Sequence, residues 1–176
     1  MKLAICVPVS VPVPRPVLLW VLLGITAVAG PGCGKLRERQ AIRKYAEGAA
    51  RANGHLARLR ALEANILVAR KTGHAQRVRR FFKEKYLPAF LAYRDAVRRV
   101  VTGTARLRTL HRRYLNALDG AYEAYASYAD HVTGATLVSA WAPVQRARQR
   151  LAEAESRYRR DIAAYYRKND VKLAGK

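Results

Sequence analysis

Four histidines, His55, His74, His111 and His131, are the first residues to test for chemistry. Two of them three or four positions apart on one helix face would make a simple metal site. No two have that spacing, and no Glu-x-x-His pair of the di-iron bundle type occurs. His74 and His131, with Glu123 and Asp130 close by in sequence, are the one grouping from which a metal site could be built. The simpler role for His131 is a cation at a helix C-terminus, where the backbone dipole favours positive charge. A serine nucleophile would have to be Ser127, Ser139 or Ser156, and none sits in a phosphate loop, a nucleophile elbow or a triad-like setting. The two cysteines, Cys6 and Cys33, both precede the main body, which excludes an internal disulfide or a cysteine-based zinc site beyond residue 33. The expectation is therefore a non-enzymatic chain with no catalytic residues, no metal and no cofactor.

Arginine and tyrosine carry the remaining chemical potential. The chain has 34 Lys and Arg against 12 Asp and Glu, a formal charge of +22. Arginine pairs recur at 79–80, 98–99, 112–113 and 159–160, often beside an aromatic residue, and such pairs can neutralise phosphates. No recognised nucleic-acid motif accompanies them, so nucleic acid is the lesser expectation. The ten tyrosines fall mostly on or beside apolar stripes. They are expected to pack in the core and at its rim, with hydroxyls reaching water.

The elements that must position these residues are helices. The body is rich in Ala, Leu, Arg, Glu and Tyr, and no alternating strand-type run appears in it. Three Thr-Gly pairs, Thr72-Gly73, Thr102-Gly103 and Thr133-Gly134, divide it into four intervals. Glycine just past a helix accepts the left-handed conformation that stops it. Apolar residues recur at threes and fours in each interval: Ile42 to Ile66, Val78 to Val100, Leu107 to Val132 and Leu137 to Tyr165. Short links force antiparallel neighbours, so the fold class is all-α, an antiparallel up-down bundle of about four long helices. Pro88 should kink the second helix and free the Glu84 carbonyl. Pro143 should mark the start of the fourth, with Ser139 near its cap. Gly48 and Gly54 weaken the first helix by roughly 1 kcal/mol each relative to Ala. A helical hairpin, or three helices with a loose first one, is the alternative.

Ahead of this body lies a different segment. Residues 1–16 hold Lys2, Arg15 and four prolines, and residues 17–30 read VLLWVLLGITAVAG. That apolar run is short for a membrane span and right for the centre of a signal peptide. With Gly32-Cys33 after it, the segment resembles the export signal of bacterial lipoproteins, in which a cysteine after a small residue is lipidated and becomes the new N-terminus. Gly30 departs from the usual Leu or Val three positions before the cysteine, and Pro31 is also unusual in that family. The resemblance implies residues 1–32 as a removable signal, Cys33 as the lipidated residue and an envelope location facing the periplasm. Ordinary cleavage and an uncleaved inner-membrane span are the alternatives. The bases that closely follow the apolar run oppose export under the positive-inside rule. The chain ends in Lys176, as does the helical murein lipoprotein of Gram-negative bacteria, whose terminal lysine is joined to the cell wall; this likeness is one residue.

Charge sorts along the bundle. The four intervals carry about +7, +6, +1 and +4. In an up-down arrangement the end nearest Cys33 collects Lys35, Arg37, Arg39, Arg43 and Lys44 from the first helix. Arg98, Arg99, Arg106, Arg108, Arg112 and Arg113 join from the second and third, and Arg157, Arg159 and Arg160 from the fourth. These are the expected anionic-surface residues. Asp119, Glu123 and Asp130 make the far half of the third helix acidic enough to dock on a basic helix of the same chain. The organisation expected is a signal or anchor over 1–32, a basic bundle over 33–171 and a flexible tail over 172–176. The expected partners are a membrane, through lipid and basic patch, and an envelope polymer, a protein or a second copy. A nucleic-acid-binding protein and an inner-membrane-anchored scaffold are the competing readings.

Overall fold

The computed structural model describes residues 31–171, with side-chain surroundings from Gly34 onward. The signal or anchor expected over 1–32, the Cys33 side chain and the tail at 172–176 lie outside the described residues.

The chain forms an all-α four-helix bundle with no strands among the described residues. The first helix, α1, runs unbroken from Pro31–Lys71. It passes through Gly48 and Gly54, so the loose-first-helix alternative is overturned. The second helix is built in three pieces: α2 (Ala75–Phe81), a π turn (Phe82–Tyr86) and α3 (Leu87–Arg98). The third helix is α4 (Ala105–His131), and the fourth is α5 (Ala142–Lys168) after a short 3₁₀ turn at Ser139–Trp141. The helices alternate in direction. Near the start of α1, Ile42 and Tyr45 meet Val100, Leu107, Tyr165, Tyr166 and Val171 in one buried cluster, which brings four chain segments to the same end. We call this end proximal and the opposite end distal.

The π turn has two causes in the sequence. Val78, Phe82, Tyr86 and Phe90 are spaced by four and all buried. Each step of four overshoots an α-helical turn by about 40°, so three steps would carry the stripe about 120° off the core. A wider turn absorbs that surplus. Pro88 lacks the N–H that would bond the Glu84 carbonyl, and the wide turn falls on that stretch. The expected effect of Pro88 thus appears as a π turn immediately ahead of it.

The glycine hinges work in two ways. Gly73 has φ +69, and the Gly73 amide bonds the Arg70 carbonyl at 3.2 Å, as a left-handed helix stop should. It is the only glycine with positive φ among the described residues, so Gly103 and Gly134 correct the expectation of three left-handed stops. Gly103 is needed for space: a Cβ there would lie 2.7 Å from the Ala41 Cβ. A Cβ on Gly48 would lie 3.0 Å from Val100 Cγ1. Both glycines let the 99–104 link press against α1. Thr104 then caps α4, its hydroxyl accepting from the Leu107 amide at 3.2 Å. Pro143 lies in the first turn of α5 as expected, but Ser139 does not cap that helix; its hydroxyl turns back toward the Thr136 carbonyl at 3.5 Å.

The main core fills the distal and middle layers. Phe82 is fully buried, with ring centroids 5.4 Å from Tyr86, 5.5 Å from Tyr128, 5.9 Å from Tyr125 and 6.2 Å from Trp141. The Arg70 guanidinium lies 4.3 Å over the Trp141 ring and covers this cluster from α1. The acidic half of α4 docks within the chain as expected for two of its three residues. Asp119 pairs with Arg98 at 3.1 Å and Arg94 at 3.6 Å, and Asp130 pairs with Lys83 at 2.7 Å. Lys83 holds the Asp130 carboxyl below its ordinary pKa, chiefly through their hydrogen bond. Glu123 enters no ion pair among the described residues.

Candidate functional site: a tyrosine–histidine layer inside a basic collar

The proximal third differs in chemistry from the rest of the core. Tyr45, on the buried face of α1 one turn after Ile42, is 1% exposed. Its hydroxyl bonds His111 Nδ1 of α4 at 2.9 Å and also the Tyr158 hydroxyl of α5. Tyr158 stacks on Tyr114, with centroids 4.8 Å apart and planes 12° from parallel. Tyr114 bonds the Tyr93 hydroxyl of α3 at 2.7 Å. All four helices thus enter one layer of rings joined through hydroxyls and one ring stack. The expectation that tyrosine hydroxyls reach water is corrected here. Their short polar tips meet one another because each stripe sets a tyrosine at the same height. Burial raises the pKa of Tyr45, Tyr93, Tyr114 and Tyr158 and keeps them protonated at neutral pH.

His111 is 5% exposed, the one buried polar or charged residue among those described. Burial holds the ring below its ordinary pKa, while the Val97 carbonyl acts in the other direction. Nε2 has no hydrogen-bond partner of good geometry among the described residues. The search for histidine pairs along one helix passes over this residue, because its partner is 66 positions away on another helix. The signal was present: His111 falls four residues after Leu107 and three before Tyr114, on the buried stripe of α4. His74 and His131, by contrast, lie at the distal end. His131 is the last residue of α4, with Nδ1 2.8 Å from the Ser127 carbonyl, and His74 precedes α2 without capping it. No group of three metal-ligating side chains occurs among the described residues.

The sequence-selected bases surround this layer. Lys35, Arg37, Arg43 and Lys44 are exposed on α1, Arg99 follows α3, and Arg106, Arg108, Arg112 and Arg113 are exposed on α4. None of these enters a salt bridge among the described residues. Four others are engaged: Arg39 with Asp170 at 3.0 Å, Arg98 with Asp119, Arg157 with Glu153 at 3.6 Å, and Arg159 with Glu155. Arg160 reaches Ser156 Oγ at 3.3 Å. Arg157, Arg159 and Arg160 lie roughly 12–16 Å before the end of α5, at 1.5 Å per residue. The bases therefore form a collar around the proximal third, where the sequence had placed them all on the end itself.

Beside a cleft of about 230 Å³ at Arg51, His55 and Arg99, two larger clefts open in the collar. One, of about 330 Å³, lies between α4 and α5 and is walled by Arg113, Tyr114, Arg157, Tyr158 and Asp161. The other, of about 410 Å³, lies where the 99–104 link meets α4 and is lined by Thr102, Arg108, Thr109, His111 and Arg112. No acidic side chain lines the second.

Comparison with family models, with curated proteins and with solved structures yields no match to this chain. Among the described residues no helix is long and apolar enough to cross a membrane.

Proposed function

We propose that this protein is a non-enzymatic, envelope-associated helical lipoprotein, attached through Cys33, whose basic collar binds an anionic surface. One observation carries the reading: at the end of the bundle from which the chain leads back to residue 33, Lys35, Arg37, Arg43 and Lys44 of α1 and Arg106, Arg108, Arg112 and Arg113 of α4 have no acidic partners among the described residues, and of the selected bases on these two helices Arg39 alone is paired, with Asp170. Near an anionic bilayer each such base contributes about 1 kcal/mol at close range. A single lipid chain attaches only marginally, and a basic patch supplies the second signal that makes attachment stable.

The nucleic-acid reading has less support. In three of the four arginine pairs at least one member is engaged within the chain. Arg79 donates to the Val132 carbonyl at 3.0 Å, Arg98 to Asp119 and Arg159 to Glu155.

Two measurements test the proposal. Labelled palmitate should enter the wild-type chain and not Cys33→Ala; equal labelling removes the anchor. Sedimentation with vesicles should rise with anionic lipid content and fall as salt rises, because screening weakens exposed charges. Sedimentation indifferent to anionic lipid removes the surface.

A further inference from the structure

From the cleft of about 410 Å³ at the start of α4, we infer a binding site for a phosphomonoester group, held by Arg108 and Arg112 against Thr102, with His111 in the wall. The inference rests on the anionic-surface reading and deepens it by naming the headgroup chemistry. Arg108 and Arg112 are one helical turn apart on the same face of α4 and lie in one concave surface. Neither enters a salt bridge among the described residues, and no acid in the lining competes with a bound anion. Guanidinium groups suit phosphate, because their planar donors match its oxygens in pairs.

The other lining groups agree with this chemistry. The Thr102 hydroxyl makes no hydrogen bond among the described residues and remains available to donate. Thr109 donates to the Ala105 carbonyl at 3.1 Å and shapes the wall. The almost wholly buried His111 forms part of the wall, which leaves the phosphate contacts to Arg108, Arg112 and Thr102. The first turn of α4 adds the positive end of a helix dipole beside the cleft. The neighbouring α4–α5 cleft is a poorer anion site, since Asp161 sits in its wall.

A terminal phosphate offers more charge and more free oxygens than a phosphodiester. The expected ligand is therefore a monoester headgroup such as that of phosphatidic acid, in preference to phosphatidylglycerol. The test uses the full chain and vesicles of the two lipids adjusted to equal surface charge. Wild type should bind the phosphatidic acid vesicles about tenfold more tightly, a difference in scale with one added charge-assisted contact. Arg108→Gln/Arg112→Gln should lose that preference. Arg37→Gln/Arg43→Gln, which removes the same charge outside the cleft, should keep it. Soluble glycerol phosphate should compete in the wild type, which separates recognition of the phosphate from recognition of the lipid around it. Equal binding to the two vesicles, or equal losses in both double variants, overturns the cleft and leaves the anionic-surface reading standing. Binding to neither vesicle overturns both.

Discussion

Phe82 and Tyr45 are both large aromatic side chains shut away from water, at 0% and 1% exposure, and they are held by different forces. Phe82 sits among Tyr86, Tyr125, Tyr128 and Trp141, ring against ring, in the distal layers. Tyr45 sits in the proximal layer and is fixed by its hydroxyl, which His111 and Tyr158 share. Dispersion and apolar burial are the chief forces in the first region, with the Tyr128 hydroxyl donating to the Leu137 carbonyl at 3.1 Å and the Tyr86 hydroxyl to Glu63 at 3.3 Å. Ring packing tolerates small adjustments, because a ring can slide against a ring. The second region depends on buried hydrogen bonds between side chains, and losing one of them leaves a polar group buried without its partner. The distal half thus supplies adhesion, and the proximal half fixes how α1, α3, α4 and α5 align beneath the basic collar.

The largest expected effect comes from breaking the distal half. Phe82→Ala should destabilise the fold by about 3–5 kcal/mol, the usual cost of removing a packed aromatic residue, measured by urea unfolding. A loss under about 1 kcal/mol would mean that the aromatic cluster is not the main source of adhesion. Tyr45→Phe keeps the ring and removes only the shared hydroxyl. It should cost about 1–3 kcal/mol, since His111 Nδ1 is left buried without its partner. No change in the same unfolding experiment would show that the proximal network adds nothing beyond packing.

Glycine substitutions sharpen the contrast by sign. Gly103→Ala should destabilise by about 1–3 kcal/mol, because the new methyl meets Ala41. Gly54→Ala faces nothing within 4 Å inside α1. It should stabilise by up to about 1 kcal/mol, seen as a higher Tm. If Gly103→Ala also stabilised, the close seating of the 99–104 link on α1 would be disproved.

The smallest effect expected is a pH dependence confined to the proximal half. Burial holds His111 below its ordinary pKa, so the folded state binds its proton less readily than the unfolded chain. Stability should be full above the unfolded value of about 6.5 and should fall as pH drops below it. His111→Gln should flatten that part of the profile. An unchanged profile would assign the dependence to another group.

Much of the scaffold was legible in the sequence. Every residue of the stripes read from Val78 to Val100 and from Leu107 to Val132 is buried. Both helices have neighbours on either side, which makes their apolar periodicity strong. The stripe of α1 was read less well. Leu56 and Leu62 are only partly buried, while Tyr45 and Ala52 were passed over. That helix runs past the ends of its neighbours, and its apolar face is diluted by alanine and arginine. The Thr-Gly pairs located the links but not their mechanism, since only a three-dimensional neighbour such as Ala41 reveals that Gly103 provides space. The hydroxyl network was hidden for a similar reason. Tyr45, His111 and Tyr158 are far apart along the chain, and each alone looks like ordinary core. The basic residues could be chosen by charge, but which are spent on Asp119, Glu153, Glu155 or Asp170 depends on the height at which the helices meet.

The π turn at Phe82–Tyr86 bears on how this chain can change length. It holds one residue more than an α-helix would need, and Lys83, Glu84 and Lys85 in it face solvent. Deleting one of them would close the wide turn, with Pro88 still leaving one carbonyl unbonded, and would swing everything before it, Val78 included, by about 100° about the axis. The surplus residue therefore acts as a phase correction between the Gly73 hinge and the aromatic cluster. Point substitutions on its outer surface should pass with little effect, whereas single-residue insertions or deletions there should put the two ends of this helix out of step.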